Sequence, residues 1–151
     1  AWENIKDYIP KDKVIWEAFY GNGSSGTHLE SLGFNVIHED IDFFENDKGE
    51  IVVSNPPFTK IPQVLARLKE LNKPFIMIMP SSKINTQYFR KLFCDTEDPI
   101  QLIIPRKRIQ FEKMVGGKIV EGKSCCNFDC FYYCWKIGLE RDIIWLKNEG
   151  E

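Results

Sequence analysis

KVIWEAFYGNGSSG, residues 13–26, is the stretch that decides the predicted fold. Its first part, residues 13–17, favours a short β-strand because valine, isoleucine and tryptophan are common in strands. The glycine-rich part, residues 21–26, ends that strand, since glycine permits a sharp turn into a helix. A helix is predicted over residues 27–32, and Gly33 is a residue type that often closes a helix. The pattern is typical of the first strand, loop and helix of an α/β sheet.

The following segments continue the alternation of strands and helices. Strands are predicted over residues 34–38 and 50–54, and the apolar run at 75–79 is typical of a strand covered on both faces. Apolar residues recur at helical spacing over 61–71, which predicts an amphipathic helix, and a shorter helix is predicted over 85–93. This alternation favours a mostly parallel sheet, in which ligands bind at the carboxyl ends of the strands.

The last third of the chain changes this pattern. Strands are predicted over residues 100–104 and 125–135, with a flexible excursion or hairpin over 106–123 between them. Two strands with little between them favour antiparallel pairing. The predicted fold is therefore an open α/β sheet, mostly parallel with one antiparallel edge strand, in a single domain over residues 1–151.

Composition limits the kinds of protein that this chain can be. It has 151 residues, 43% of them hydrophobic, which is enough to bury a core, and it has no apolar run long enough to span a membrane. Its net charge of -2 means that any nucleic-acid contact must rest on a local basic patch. The cysteine spacing fits neither a disulfide framework nor a metal site, which favours a reducing, intracellular compartment. Cys126, Cys130 and Cys134 are expected on one buried face of a strand.

The glycine loop indicates a ligand site at the end of the first strand. Gly21 and Gly23 let the backbone approach a ligand, and the first amides of the next helix are unpaired. No lysine and hydroxyl pair follows at the spacing of a phosphate-binding P-loop, and Glu17 would repel a phosphate. Glu17 suits the ammonium group of an amino-acid-like ligand such as S-adenosylmethionine. An ordinary strand-to-helix turn is the alternative interpretation.

An acidic cluster follows the second predicted strand. Asp40, or less favourably Glu39, stands where a carboxylate accepts hydrogen bonds from ribose hydroxyls in dinucleotide-binding sheets. A solvated acidic turn is the alternative interpretation of this segment.

The tetrapeptide Asn55-Pro56-Pro57-Phe58 is the most informative motif. Its prolines fix an extended backbone that makes few hydrogen bonds and leaves carbonyls free. The Asn55 side chain and the Pro56 carbonyl would accept both hydrogens of adenine's exocyclic amine and direct its lone pair toward a methyl sulfonium. Phe58 would stack on the extruded base. The alternative is a proline-rich turn followed by a core phenylalanine.

Residues 17–23, EAFYGNG, followed by residues 55–58, NPPF, resemble the cofactor loop and catalytic tetrapeptide of Rossmann-like adenine N6-methyltransferases that use S-adenosylmethionine, including small viral and phage DNA enzymes. The resemblance implies a Rossmann-like fold and methyl transfer from S-adenosylmethionine to adenine in DNA. It assigns Glu17, Phe19, Gly21 and Gly23 to the methionine part of the cofactor, Asp40 to its ribose, Asp42 and Phe43 to its adenine ring, and Asn55, Pro56 and Phe58 to the target base.

Two features depart from that family. Residues 40–55 are too few for the usual helix, strand and connection, so the sheet is expected to be shortened in the middle, either by the loss of a strand or by the folding of two motifs into one. No separate target-recognition domain is evident, so sequence specificity would depend on a partner protein or on residues upstream of Ala1. The alternatives that remain are methylation of RNA adenine, methylation of protein glutamine, and a non-catalytic component of a larger assembly, such as a viral one.

A local basic cluster is the expected nucleic-acid contact. Arg106, Lys107 and Arg108 follow the strand predicted to end at residue 104, which places them on the same edge of the sheet as Asn55 and Phe58. Their charges would lie along the phosphates beside an extruded adenine, with DNA favoured over RNA as the partner. A solvated hairpin is the alternative interpretation.

Overall fold

The structure, a computed structural model, describes residues 2–21, 23–109, 113–115, 118–120 and 129–147, the two three-residue segments by their backbone only. Within these ranges the strands are β1 (Ile15–Trp16), β2 (Val36–Ile37), β3 (Ile51–Ser54), β4 (Phe75–Pro80), β5 (Ile100–Ile104), β6 (Lys113–Val115), β7 (Lys118–Val120), β8 (Cys130–Trp135) and β9 (Ile143–Trp145). The α-helices are α1 (Ser24–Ser31), α2 (Ile61–Glu70) and α3 (Gln87–Phe93). Short 3-10 helices cover Glu3–Tyr8, Phe43–Glu45, Phe58–Lys60 and Ser81–Asn85.

One open sheet organises the described strands, in the order β2-β1-β3-β4-β8-β5-β9. β1 to β4 run parallel to one another, and β9 runs parallel to β5. β8 is antiparallel to both of its neighbours, so β5 and β9 point the same way as β1 to β4. The C-terminal ends of six strands therefore lie along one side of the sheet, which we call the carboxyl edge. The prediction of a mostly parallel α/β sheet is confirmed.

The prediction of an antiparallel edge strand is wrong. β8 lies inside the sheet, between β4 and β5, and the parallel strand β9 occupies the edge beside β5. A central position suits β8 because its side chains are apolar on both faces, and Tyr132, Tyr133 and Cys134 are fully buried. Residues 125–128 of the predicted strand lie outside the described residues. β6 and β7 pair antiparallel, which agrees with the predicted hairpin.

Helices cover both faces of the sheet and enclose two hydrophobic clusters. The first cluster packs the helix Glu3–Tyr8 and α1 against one face, through side chains such as Ile5 and Leu29. The second packs α2 and α3 against the opposite face, through side chains such as Leu65 and Phe93. The amphipathic pattern predicted for α2 is confirmed, because its apolar side chains are buried in this second cluster.

The predicted core role of the cysteines is confirmed for two of them. Cys130 and Cys134 are buried in the first cluster, whereas Cys126 lies outside the described residues. The described ranges contain no group of three or more side chains that could hold a metal ion. None of the helices found there is both long and apolar enough to cross a membrane.

The connection between β2 and β3, which the structure describes in full, contains no α-helix and no further strand, as the small number of residues between Asp40 and Asn55 predicts. Only the 3-10 helix Phe43–Glu45 stands between β2 and β3, and β3 pairs directly with β1. The connection from β2 to β3 therefore starts at the carboxyl edge and passes β1 as a loop. In the family that the sequence resembles, a helix and a further strand are expected in its place.

Two cations hold this short connection in place. Arg67 of α2 donates from Nε to the Phe43 carbonyl at 3.1 Å and from Nη2 to the Asn46 carbonyl at 2.8 Å. Lys73, which is only 8% exposed, donates to the Gly49 carbonyl at 2.8 Å. Backbone carbonyls of the connection thus accept hydrogen bonds from side chains. In a helix or strand they would accept them from backbone amides.

We expect Arg67→Met to lower the free energy of unfolding by about 1 to 3 kcal/mol, because the change leaves two backbone carbonyls without their donor. Methionine keeps most of the apolar stem, so the loss reports the hydrogen bonds. Urea denaturation followed by circular dichroism measures the effect. Arg90→Met, at an exposed position of α3, is the matched control. Equal stability of Arg67→Met and the parent would show that packing alone holds the connection.

Candidate functional site at the carboxyl edge

The loop after β1 has the backbone conformation that makes glycine necessary. Gly21 and Gly23 have φ angles of 59° and 83°, which L side chains rarely adopt. Gly23 is the N-cap of α1. A Cβ at Gly21 would meet no atom within 4 Å, whereas one at Gly23 would lie 2.9 Å from the Tyr20 hydroxyl. Gly21 therefore borders open space, and Gly23 is packed behind Tyr20.

A third glycine brings α1 close to the sheet. A Cβ at Gly26 would lie 2.4 Å from the His38 ring, so only glycine fits between α1 and the residue after β2. His38 Nε2 also contacts Glu30 Oε1 of α1 at 2.5 Å. With Gly21 and Gly23, Gly26 completes the spacing G-x-G-x-x-G, in which the third glycine permits close helix–strand packing. Sequence reasoning assigned no role to Gly26, although this spacing would have identified it.

Glu17 is a buried junction between the glycine loop, α1 and β3. Glu17 is only 1% exposed. Oε2 accepts a hydrogen bond from Ser25 Oγ at 2.6 Å, and Oε1 accepts one from the Phe19 amide at 3.1 Å and another from the Ser54 hydroxyl. Ser25 Oγ in turn accepts a hydrogen bond from Trp2 Nε1 at 2.8 Å. One carboxyl group therefore joins segments that are far apart in the sequence.

Burial raises the pKa of Glu17 from 4.5 to about 7, because desolvation penalises the charged carboxylate. The hydrogen bonds from Ser25, Ser54 and the Phe19 amide favour the charged form and offset part of that penalty. Glu17 therefore changes its protonation state near neutral pH.

A cleft of about 520 Å³ opens at the carboxyl edge beside this junction. Its lining comes from residues 18–21 after β1, residues 41–44 in the short connection, and residues 55–57 with Lys60 after β3. Its volume lies in the range typical of small-molecule sites. The two motifs singled out in the sequence thus line one cleft, although about 35 residues of chain separate them.

Asn55 lines this cleft, and its side-chain oxygen is buried. Its Oδ1 atom is buried and accepts no hydrogen bond from the part of the chain that the structure describes. A buried acceptor without a partner costs about 1 to 3 kcal/mol, so its presence requires an explanation. The amide of Lys60 is not available, since it donates to the Pro57 carbonyl at 3.0 Å. A ligand with an N–H donor would satisfy Oδ1.

The structure brings together part of the predicted set of residues. The predicted residues that line the cleft are Phe19, Gly21, Asp42, Phe43, Asn55 and Pro56. The predicted residues outside its lining are Glu17, Gly23, Asp40 and Phe58.

The structure shows where each of these four residues lies instead. Glu17 is buried among its hydrogen-bond donors, and Gly23 lies behind Tyr20. Asp40 is exposed to solvent. Phe58 is half-buried and packs against both hydrophobic clusters, because it begins the short helix that leads into α2.

The basic cluster lies at the carboxyl edge, as its place after β5 predicts. Arg106, Lys107 and Arg108 are exposed and line a groove of about 240 Å³ together with Asp129 and Phe131. Arg108 Nε donates to Asp129 Oδ1 at 3.0 Å. The phosphate-binding role of these cations stays a prediction.

Several residues of this region were not predicted from the sequence, among them two serines and one lysine. Ser25 and Ser54 are hydrogen-bond partners of Glu17, and Lys60 lines the cleft. No sequence pattern indicates that the two serines bind Glu17, because these hydrogen bonds depend on how closely α1 and β3 approach the end of β1. Lys60 could have been noticed as a cation two residues beyond the tetrapeptide.

The chain matches no protein-family model, no curated protein and no solved structure. An assignment of function therefore rests on the residues and geometry of the carboxyl edge.

The raised pKa of Glu17 predicts how stability depends on pH. Between pH 4.5 and about 7 the folded chain keeps a proton that the unfolded chain releases, so the contribution of Glu17 to stability falls as pH rises through this window and is constant above it. Glu17→Gln mimics the protonated form, so its stability relative to the parent should rise between pH 5 and pH 8, by on the order of 3 kcal/mol at most.

Thermal denaturation of the parent and of Glu17→Gln across this pH range measures the effect. Glu140→Gln, at an exposed position, is the control and should follow the parent. If Glu17→Gln and the parent show the same pH dependence, the carboxyl group of Glu17 is already ionised at low pH and the argument from burial is wrong.

Proposed function

We propose that this chain is an S-adenosylmethionine-dependent methyltransferase that acts on the exocyclic amino group of adenine in DNA. The observation that supports this most directly is that Asn55, whose buried Oδ1 atom has no hydrogen-bond partner among the described residues, lines the same cleft as the glycine loop. Methyl transfer to an amine needs an acceptor that orients the amine and a pocket for the cofactor beside it. Asn55 and residues of the glycine loop line one cleft, which supports such an arrangement.

The lining of the cleft fits the cofactor. Gly21 borders open space, which lets a ligand approach the backbone of the loop. Phe19 and Phe43 add apolar surface, with their ring centroids 4.9 Å apart. Asp42 offers an exposed carboxylate for a hydroxyl or an ammonium group, and its orientation is fixed because Oδ1 accepts the Phe44 amide at 2.9 Å. Glu17 would support the loop from behind, without touching the ligand.

Asn55 would orient the target amine. The nitrogen is a weak nucleophile because its lone pair is delocalised into the adenine ring. Asn55 Oδ1 would accept one amine hydrogen and the Pro56 carbonyl the other, which directs the lone pair out of the ring plane. Because prolines restrict the backbone at positions 56 and 57, these acceptors are held in place before the substrate binds.

The transfer itself would need no covalent enzyme intermediate. Bound S-adenosylmethionine supplies a methyl group on a cationic sulfur, and the C–S electron pair stays on sulfur when the N–C bond forms. The amine lone pair makes that new bond, and the nitrogen then loses one proton to solvent. Asn55 and Pro56 would stabilise the positive charge that develops on nitrogen, so catalysis rests on positioning and electrostatics.

The aromatic surface for the base is reassigned in this proposal. Phe58 lies outside the cleft, whereas Tyr20 and Phe44 are half-buried rings that line it. Enzymes that modify a base must take it out of the stack and hold it against apolar side chains. Tyr20 or Phe44 would provide that contact.

Dinucleotide binding without methyl transfer is a second candidate, because of Gly26. The close approach at Gly26 completes the G-x-G-x-x-G pattern, and Asp40 follows its first glycine by about 20 residues, as in dinucleotide-binding sheets. Dinucleotide binding would not require Asn55. Methylation of RNA adenine or of protein glutamine would use the same cleft with another acceptor, and a non-catalytic component would bind no cofactor.

We expect Gly21→Asn to weaken S-adenosylmethionine binding at least about ten-fold while the chain stays folded. Asparagine tolerates a positive φ, and its side chain would enter the open space beside the cleft. Isothermal titration calorimetry with S-adenosylmethionine and with NAD measures the affinities. Gly138→Asn is the matched control, since Gly138 has a φ of 77° and also borders open space. Unchanged affinity in Gly21→Asn would place the cofactor elsewhere, and tighter binding of NAD would favour the second candidate.

We expect Asn55→Ala to reduce methyl transfer by about 10² to 10³ while leaving cofactor affinity unchanged, because Asn55 acts on the amine. The melting temperature should stay equal or rise, since the change removes a buried acceptor that has no partner. Transfer of a radiolabelled methyl group to an adenine-containing oligonucleotide measures the rate. Asn85→Ala, at an exposed position, is the control. Full turnover in Asn55→Ala would contradict the proposed role.

A further inference from the structure

One aromatic side chain is left exposed at the carboxyl edge. Trp145, the last residue of β9, is 69% exposed, whereas Trp2, Trp16 and Trp135 are buried. A single exposed hydrophobic side chain is common at protein surfaces, so the residues around Trp145 decide whether it belongs to a binding surface.

Trp145 shares one face of the sheet with a second aromatic residue. Ile104 of β5 is paired with Trp145, and Phe131 lies on β8, on the other side of β5. Phe131 and Ile104 pack against the same hydrophobic cluster, and Ile144 packs against the opposite one, so Trp145 faces the same side as Phe131. Two strand spacings separate the two aromatic residues, which is about 10 Å.

The basic cluster leaves the sheet between these two aromatic residues. Arg106, Lys107 and Arg108 continue the chain from β5, and they share their groove with Phe131. Among the described residues that line this groove, three are cations and one is a carboxylate, that of Asp129, which pairs with Arg108, in a chain whose net charge is -2. This corner of the carboxyl edge, which we call the β5 corner, therefore combines aromatic surface with a local excess of positive charge.

We propose that the β5 corner binds single-stranded nucleic acid, with bases stacked on Phe131 and Trp145 and phosphates held by Arg106, Lys107 and Arg108. Alternating aromatic and basic side chains match the repeat of base and phosphate in a single strand. In a duplex the faces of the bases are already stacked on each other and are not available to these rings. The cations also distinguish this surface from an apolar site for a protein.

This inference rests on the proposed function, and it names the strand state of the substrate. The end of β5 lies three strand spacings from the end of β3, about 14 Å along the edge. A stacked strand rises 3.4 Å per nucleotide, so about four nucleotides would join the β5 corner to the cleft at Asn55. The target adenine would reach the cleft as part of a strand that is already unpaired.

The first experiment measures binding without cofactor. A labelled single-stranded oligonucleotide, as DNA and as RNA, and the corresponding DNA duplex are titrated with the protein by fluorescence anisotropy. We expect the single strand to bind at least about ten-fold more tightly than the duplex, and Trp145→Ala to weaken single-strand binding by about ten-fold. Trp145→Phe should restore most of the affinity, because phenylalanine can also stack.

Two further measurements separate the contributions of ring and charge. The triple substitution of Arg106, Lys107 and Arg108 by glutamine should flatten the dependence of log affinity on log salt concentration. Stacking on Trp145 should quench the fluorescence of the single exposed tryptophan in the parent, since Trp2, Trp16 and Trp135 are buried. Trp145→Phe should lack this signal while it still binds.

Ile143→Ala is the matched control, because Ile143 is 47% exposed and lies two residues before Trp145 on the same strand. If Ile143→Ala weakens oligonucleotide binding as much as Trp145→Ala, or if Trp145→Ala changes only the oligomeric state measured by light scattering, the β5 corner is a protein-binding surface and the inference is wrong. Duplex binding as tight as single-strand binding also overturns it.

The outcomes distinguish this inference from the function on which it rests. A chain that binds S-adenosylmethionine but no single strand overturns the inference alone. A chain that binds the single strand at the β5 corner but not S-adenosylmethionine overturns the proposed function alone. Preference between the DNA and RNA strands identifies the natural polymer.

Discussion

The buried carboxyl group of Glu17 is the interaction on which the arrangement of the carboxyl edge depends. It accepts hydrogen bonds from Ser25 of α1, from Ser54 at the end of β3 and from the Phe19 amide in the glycine loop. Ser54 directly precedes Asn55, so the position of the tetrapeptide relative to the glycine loop is fixed through one side chain. The cost of burying a carboxylate is the reason that its pKa rises to about 7. Such a cost is retained where it maintains a geometry that packing alone would not specify.

The short connection after β2 shapes the cleft as much as the two motifs do. Since no helix and further strand follow β2, residues 41–44 line the cleft themselves. Phe43 stacks on Trp16 with ring centroids 5.4 Å apart, and Arg67 holds the backbone of the connection. A segment with little regular structure of its own is thereby made rigid enough to line a binding site. The stability of the connection and the shape of the cleft are therefore linked through Arg67.

The direction of β5 relative to the first four strands brings the proposed substrate path onto one edge. Because β8 lies between β4 and β5 and is antiparallel to both, β5 runs parallel to β3 and β4 and ends on the same edge of the sheet. Arg106 then lies on the same edge as Asn55, and Trp145 ends the neighbouring strand β9. If β8 had been at the edge, β5 would have paired beside β4, and the cations would have lain closer to the cleft without a second aromatic strand beyond them.

The sequence by itself determined the elements whose signals are local. The apolar spacing at Ile61–Glu70, the buried run at Phe75–Pro80 and the glycines after β1 predicted their helix, strand and turn. The number of residues between Asp40 and Asn55 predicted that no helix and strand fit between β2 and β3. The tertiary structure alone decided the central position of β8, the strand β9, the bonding of Glu17 and the exposure of Trp145. These features depend on pairing and packing between segments that are distant in the chain. Such contacts produce no periodic pattern in the sequence of either segment, so they cannot be read from one segment alone. The motif suggested a role for Asn55, but only the fold brings this residue to a cleft shared with the glycine loop and leaves its Oδ1 atom buried without a donor among the described residues.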